Sequence, residues 1–243
     1  AVRADGLYCG FVSGGCTEAA VAAEAVMALQ KGLDRNLRLG EGSPFFDIVL
    51  PCGGGITLAI HVLRDATVLH RALTALQRRI PMRLRYHAGA QALALEAGEG
   101  KTGWNEDAFV RAYRPRERLV LGGTGMEASA VAQVASASGY EVLLLERGQV
   151  PTGDLLDCDT AVALLFHDVD RELALLERAL ASRAFYIGAL GSRRTHGTRC
   201  AALLQRGYSD IDLARIKAPI GIFDKARDAR TLALSIVADI AQA

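Results

Sequence analysis

The chain has 243 residues, enough for one large domain or two small ones, and 51% of them are hydrophobic. Its 28 basic and 27 acidic side chains nearly cancel, so the composition favours neither a nucleic-acid-binding protein nor a disordered acidic one. No apolar run approaches the roughly 20 residues of a membrane-spanning helix, and the five cysteines include no CxxC pair that would predict a zinc site or a disulfide framework. We therefore expect a cytoplasmic protein with no nucleic-acid or membrane partner.

Residues 1–100 predict a small α+β domain. The sequence begins without an initiator methionine, and we expect that a preceding segment of this domain is missing. Periodicity predicts helices over 17–31 and 68–79, strands over 47–50 and 56–63, and an antiparallel pair over 82–87 and 91–96.

Two junctions of cysteine and glycine stand out in this first domain. Ser13, Gly14, Gly15 and Cys16 precede the first helix, where free N–H groups bind anions and the helix dipole favours a thiolate. Cys52 precedes three glycines, beginning with Gly53, which leave little bulk beside a sulfur nucleophile or a soft-metal ligand. The alternative is that both cysteines are small buried residues without a chemical role.

Residues 101–117 carry charges, a tryptophan and a proline without a clear period, and we interpret them as the connection between two domains. Residues 118–243 then alternate strands with helices. Strands are predicted over 119–121, 141–146, 161–166 and 184–187, and helices over 126–138, 192–206 and 226–241, with a further helix between the last two strands. This order predicts an α/β domain with a Rossmann-like, doubly wound parallel sheet.

A glycine loop follows the first strand of the second domain. Gly123, Gly125 and Ala128 fit the pattern GxGxxA, in which the glycines allow a tight turn and the approach of a phosphate. Glu146 ends the next strand, where an acid often binds a ribose hydroxyl. The loop therefore indicates either a nucleotide site, including that of an NAD(P)-dependent oxidoreductase, or a Rossmann-like fold that binds no dinucleotide.

A second glycine-containing turn opens a later helix. A short apolar strand is followed by Gly188, Gly191, Ser192, Arg193 and Arg194. Backbone N–H groups at a helix start, with two guanidinium groups, predict a site for phosphate or another oxyanion. The alternative is an ordinary tight turn with two solvated arginines.

His167 and Asp168 directly follow a predicted parallel strand. Because the carboxyl ends of such strands line the ligand crevice, the pair is a candidate for proton transfer, including the acid–base role in an oxidoreductase. A turn capped by these residues is the alternative. His61 and His70 are interpreted as ordinary surface or core residues.

Several segments together resemble the xanthine dehydrogenase accessory proteins of the XdhC/CoxI type. They are GFVSGGCTE (10–18), CGG (52–54), the glycine loop, DTAV (159–162) with His167 and Asp168, FYIGALGSRRTH (185–196), APIG (218–221) and ALSI (233–236). The resemblance runs through nearly the whole chain in order. It implies a cysteine-bearing XdhC/CoxI domain over 1–100 and a Rossmann-like domain over 118–243.

The resemblance also implies a function. It indicates an accessory protein that binds the molybdenum cofactor, as molybdopterin or its dinucleotide form, assists its sulfuration and delivers it to a molybdenum hydroxylase of the xanthine dehydrogenase type. A cysteine desulfurase is the implied second partner, and a homodimer is a further expectation. In this interpretation the two arginines bind the cofactor's phosphate, and Cys16 and Cys52 contact molybdenum or carry sulfur. Such a protein is a chaperone rather than an enzyme.

Overall fold

The computed structural model describes residues 1–12, 17–43, 53–145, 149, 151, 155–166 and 168–243. The chain divides into two compact parts, Ala1–Arg114 and Pro115–Ala243, which we call unit 1 and unit 2. In the described residues, no helix is long and apolar enough to cross a membrane.

The described residues of unit 1 form two helices and two antiparallel sheets. Strands β1 and β2 form a two-stranded sheet, and the other four strands form a sheet in the order β4-β3-β6-β5. The elements of unit 1 are α1 (Glu18–Lys31), β1 (Arg35–Gly40), β2 (Gly55–Ile60), α2 (Thr67–Gln77), β3 (Met82–His87), β4 (Ala92–Ala97), β5 (Gly103–Asn105) and β6 (Ala108–Tyr113). The predicted antiparallel pair is confirmed, with Met82 opposite Ala97 and His87 opposite Ala92.

The structure corrects the interpretation of residues 101–117 as a connection. Strands β5 and β6 lie in this segment, and β6 pairs with β3 along its whole length. Its buried residues, Ala108 and Val110, alternate with more exposed neighbours, but the pattern is short and polar residues flank it. The boundary between the compact units falls at Arg114 and Pro115, near the end of the predicted connection.

Strand β1 was not predicted, although Leu37 and Leu39 are buried and alternate with exposed polar residues. It pairs antiparallel with β2, Leu37 standing opposite Leu58. The strand predicted over 47–50 lies outside the described residues, as do Ser13, Gly14, Gly15, Cys16 and Cys52.

Unit 2 is a parallel sheet covered by helices. Its elements are β7 (Arg118–Gly122), α3 (Met126–Ala137), β8 (Glu141–Leu145), β9 (Thr160–Leu164), α4 (Val169–Leu180), β10 (Tyr186–Ala189), α5 (Arg193–Gln205), α6 (Asp210–Leu213), β11 (Ile216–Lys217) and α7 (Ala229–Gln242). The strand order is β11-β10-β9-β7-β8, and every pairing is parallel. The predicted doubly wound α/β fold is confirmed.

The core of unit 2 lies on both faces of this sheet. Successive residues of β7 and β9 point to opposite faces, so that Val120 and Val162 pack with α4 and α5. Leu119 and Ala161 pack instead with α3 and α7. Every residue of β7 and β9 is buried, which explains why both strands are largely continuous apolar runs in the sequence.

Candidate functional site

The candidate site lies at the carboxyl edge of the unit 2 sheet. The chain passes from β7 to β8 on one side and then crosses to β9 on the other side of β7. Such a switch in direction opens a crevice at the carboxyl ends of the two neighbouring strands, where ligands bind in open α/β sheets. The Leu165 N–H donates to the carbonyl of Gly122 at 2.7 Å, and therefore the segments after β7 and β9 leave the sheet side by side.

The glycine loop forms one wall of this edge. Gly125 has φ 94° and directly precedes α3, a conformation that a residue with a Cβ rarely adopts. A Cβ on Gly122 would lie 2.6 Å from Cδ2 of Leu175, so this glycine is required by packing. Ala128 is fully buried, as the small third position of a GxGxxA loop should be.

A cavity of about 780 Å³ adjoins the loop and runs along α3. Gly123 and Gly125 line it together with small and polar side chains of α3 and with Leu144 of β8. Its volume falls in the range of small-molecule pockets. Glu146, predicted to bind a ribose here, lies outside the described residues.

The start of α5 follows β10 at the same edge. Ser192 caps the helix, since its Oγ accepts from the Thr195 N–H at 3.2 Å. Gly191 has φ 129°, and a Cβ there would lie 3.0 Å from the Thr195 side chain. Gly188 is buried within β10, where a Cβ would lie 2.5 Å from Cδ1 of Ile220, so packing alone accounts for this glycine.

Arg193 and Arg194 occupy the first turn of α5, and both are exposed. Neither side chain makes an ion pair with any of the described residues, and the first turn holds no acidic residue. Cations at the positive end of a helix are unfavourable, typically by about 0.3–1 kcal/mol each. An anion bound at this turn would attract both the guanidinium groups and the positive helix end and so offset that repulsion. For this reason the geometry suits an oxyanion.

A buried ion pair holds the turn before α5. Arg199, fully buried, donates through Nε to Glu172 of α4 and through Nη2 to the carbonyl of Leu190 at 2.9 Å. Burial raises the pKa of Glu172, and the hydrogen bond and charge of Arg199 offset this only in part. The pair thus fixes the main chain just before Gly191. It was not predicted, because two charged residues 27 positions apart give no sequence signal of their contact.

His196 and Cys200 lie one turn further along α5. Sγ of Cys200 is 3.5 Å from Nε2 of His196. Burial and the nearby Arg199 charge lower the pKa of His196, so the imidazole is neutral at neutral pH. Neither residue was predicted from the sequence as part of a binding or catalytic site.

Asp168 has a structural role in α4. Its carboxylate accepts from the Asp170 N–H at 3.1 Å as the N-cap, and it pairs with Arg171 at 2.9 Å. His167 lies outside the described residues, and the proposed proton transfer between them stays a prediction.

In unit 1, the segment before the cysteine junction folds back over α1. The Val12 N–H donates to Oε1 of Glu18 at 2.8 Å, and both Thr17 and Glu18 are buried. Gly53 is exposed with φ 72°, and no atom of the described residues lies within 4 Å of where its Cβ would stand. Among the residues that the structure describes, no three His, Cys, Asp or Glu side chains group closely enough to hold a metal ion.

Comparisons with known proteins agree with this architecture. The family model described as the XdhC Rossmann domain matches residues 119–240, and the model of the XdhC and CoxI family matches residues 1–40. A crystal structure described as a xanthine dehydrogenase from Bacillus halodurans superposes with a TM-score of 0.74 at 21% identity, covering 98% of this chain and 83% of that one. At this identity the likeness is one of fold.

Two Escherichia coli K12 proteins are similar in sequence. The molybdenum cofactor insertion chaperone PaoD is 50% identical over 240 residues, which cover 99% of this chain and 76% of PaoD. The uncharacterized protein YqeB is 27% identical over 217 residues, covering 80% of this chain and 38% of YqeB. Two matching family models and a relative of this identity and coverage lead to one conclusion: the chain belongs to the XdhC family.

Proposed function

We propose that this protein binds the molybdenum cofactor and delivers it to a molybdenum hydroxylase of the xanthine dehydrogenase type. The observation that carries the proposal is the 50% identity, over 99% of the chain, to a relative named as a molybdenum cofactor insertion chaperone. The cofactor is cargo here, and the protein itself need not catalyse a reaction on it.

The start of α5 supports this assignment independently. Molybdopterin carries a phosphate, and a phosphate needs donors that are already directed towards it. Arg193 and Arg194 supply exposed guanidinium groups without ion pairs to described residues, and Ser192 begins the helix whose free N–H groups they flank. Each charge-assisted hydrogen bond of this kind contributes on the order of 1.5–3 kcal/mol. Two such bonds with backbone N–H groups hold a cofactor without a covalent link.

The test is a double variant, Arg193→Ala with Arg194→Ala, loaded anaerobically with molybdenum cofactor. We expect it to retain less than a tenth of the pterin and molybdenum held by the unaltered protein after gel filtration. The matched control is Arg178→Ala with Arg183→Ala, which removes the same charge from two exposed arginines near the amino end of β10. Equal retention by the two double variants would contradict the placement of the phosphate.

Assistance with sulfuration is the finer part of the proposal, with a cysteine desulfurase as the sulfur donor. Cys16 and Cys52 are the candidate sulfur-bearing or molybdenum-contacting residues, both outside the described residues. Cys52→Ser should load cofactor but activate a target hydroxylase poorly, with Cys9→Ser, an exposed cysteine, as the control. Full activation by Cys52→Ser would remove that residue from the proposal.

The cavity beside the glycine loop favours a second candidate, an NAD(P)-dependent oxidoreductase. Gly123 and Gly125 line a space large enough for part of a nucleotide. Equilibrium dialysis against NAD(H) and NADP(H) measures binding, and a spectrophotometric assay of NAD(P)H oxidation distinguishes the two functions. The chaperone function predicts no turnover with either, whereas substrate-dependent oxidation of NAD(P)H would favour the enzyme.

A further inference from the structure

Unit 1 contains a second cavity, of about 690 Å³. It is lined by α1, α2 and the strands β2, β3, β4 and β6, together with Ala1, Val2 and Ala4 and with residues 61–63 after β2. Several of its apolar residues, among them Leu29, Leu84, Leu93 and Phe109, are only partly buried, because the elements around them leave a gap. The volume falls within the range of pockets that hold a small organic ligand.

A polar network forms one part of the cavity wall. Asp34 accepts from Nδ1 of His61 at 2.6 Å, from the Tyr86 hydroxyl at 2.9 Å and from the Val62 N–H at 2.9 Å. It also accepts from Nη1 of Arg64 at 3.5 Å. Burial alone would raise the pKa of Asp34, but the first three of these hydrogen bonds together hold it below its usual value. The carboxylate is therefore ionised at neutral pH and can only accept.

This network fixes the hydrogen positions. Since Asp34 only accepts, Nδ1 of His61 donates its hydrogen to Asp34, and the imidazole tautomer that this contact selects has its lone pair on Nε2. Burial and Asp34 raise the pKa of Tyr86 to about 12, so its phenol keeps its proton and donates it to Asp34. Both rings line the cavity. Nε2 of His61 has no partner among the described residues, and the two rings therefore offer acceptors to a ligand that carries an N–H or O–H.

Arg111 supplies a positive charge to the same cavity. On the paired strands β3 and β6, Arg111 stands opposite Leu84, two residues along from the pair of Tyr86 and Phe109. A step of two residues places it about 7 Å from that pair on the same face of the sheet. Its guanidinium lies 5.6 Å from the centre of the Tyr113 ring and makes no ion pair with any described residue.

We propose that this cavity binds an aromatic anion that carries an N–H or O–H donor. The aromatic body would pack among the leucines, Phe109 and the tyrosines, the donor would meet Nε2 of His61, and the negative group would lie against Arg111. The assignment rests on unit 1 alone and is independent of the function proposed for the start of α5.

Three naphthalenes test the three parts of this assignment. 6-Hydroxy-2-naphthoate carries both the donor and the charge, 2-naphthoate lacks the donor, and 2-naphthol lacks the carboxylate. We expect calorimetry to show that 6-hydroxy-2-naphthoate binds about 5–10-fold more tightly than either of the others. The indole N–H resonance of Trp104, the single tryptophan, reports the location, because its ring packs edge-on against Phe109 at 5.5 Å.

Single substitutions test which residue makes each proposed contact with the ligand. Arg111→Gln should weaken the two naphthoates about 10-fold and leave 2-naphthol unchanged, with the exposed Arg71→Gln as the control. His61→Leu should remove the advantage of the hydroxyl. Ala59 lines the cavity, so Ala59→Phe should abolish binding of all three, whereas Ala94→Phe, on β4 and outside the cavity lining, should not.

Each alternative outcome overturns the proposal. These outcomes are no binding of 6-hydroxy-2-naphthoate below about 1 mM, equal affinity for the three naphthalenes, or binding that survives Ala59→Phe. Circular dichroism of each variant verifies that it is folded, and Ala59→Phe keeps the test decisive if His61→Leu fails to fold.

Discussion

Buried charged side chains have different roles in the two units. In unit 2, Arg199 and Glu172 are almost completely removed from solvent, with side chains 0% and 1% exposed, and they fix a turn without facing a ligand themselves. In unit 1, Asp34 is nearly as buried, but the His61 that it orients is 16% exposed and lines a cavity. The first network positions main chain, and the second positions a side chain that remains available for binding.

Variants that remove one member of an ion pair should show the largest difference in stability between a buried and an exposed pair. Arg199→Leu leaves the Glu172 carboxyl buried without its cation, and we expect unit 2 to lose about 3–5 kcal/mol of unfolding free energy. Urea unfolding followed by far-ultraviolet circular dichroism measures this, while Trp104 fluorescence reports on unit 1. Arg206→Leu breaks a more exposed pair with Glu177 and should lower the stability by less than about 1 kcal/mol. A comparable loss in both variants would contradict the role of burial.

Asp34→Asn tests the network of unit 1. We expect a loss of about 1–3 kcal/mol, seen in the fluorescence transition of Trp104, since four donors lose a charged acceptor. Asp107→Asn, exposed in the same unit, is the control. Because the pKa of Asp34 is lowered on folding, its contribution is complete above about pH 4 and is lost as the pH falls through the folded value. The difference between variant and unaltered protein should therefore shrink in acid.

The contribution of Glu172 to the free energy of unfolding should depend on pH in the opposite direction. Its pKa is raised on folding, so its favourable contribution is complete below the pKa of the unfolded chain, about 4.3, and is lost as the pH rises through the folded value. Comparing the unaltered protein with Glu172→Gln between pH 3 and 7, by circular dichroism, measures this. If the contribution of Glu172 grew with rising pH, its pKa would be lowered on folding rather than raised.

Two glycines of unit 2 differ in how tightly they are packed, and alanine substitutions measure the difference as a change in stability. Gly188→Ala would place a Cβ 2.5 Å from Ile220, and we expect a loss of about 1–3 kcal/mol from overpacking. Gly197→Ala, in the middle of α5 with open space around it, should stabilise the protein by about 0.5–1 kcal/mol. Thermal unfolding measures both. A neutral Gly188→Ala would mean that the sheet adapts there.

The smallest effect is expected from the two arginines that we propose bind phosphate. Arg193→Ala and Arg194→Ala remove cations from the positive end of α5, and each should stabilise the unloaded protein by about 0.3–1 kcal/mol. Thermal unfolding at low salt is the measurement. Destabilisation would indicate that these arginines support the fold.

Strands β7 and β9 could be predicted because burial on both faces leaves a continuous apolar signal, as over Leu119–Leu121 and Ala161–Leu164, whereas the two-residue β11 was not predicted. The antiparallel pair of β3 and β4 followed from strict alternation. Strands β1 and β6 were missed since each gives only a few alternating positions among polar residues. The glycine loop and the arginine turn are local in sequence and were therefore visible. The pairs of Arg199 with Glu172 and His61 with Asp34 each join residues 27 positions apart, and only the folded chain brings them together.

Helix α7 affects when α3 and the glycine loop can fold during protein synthesis. Ile236 and Ile240 of this helix pack with Ala128 and Val131 of α3, the helix that the glycine loop opens. During synthesis the loop leaves the ribosome long before α7 does, and until then one face of α3 has no cover. We therefore expect the loop to reach its final geometry only after α7 has emerged, and the proposed binding of a ligand at this edge to follow translation of the domain.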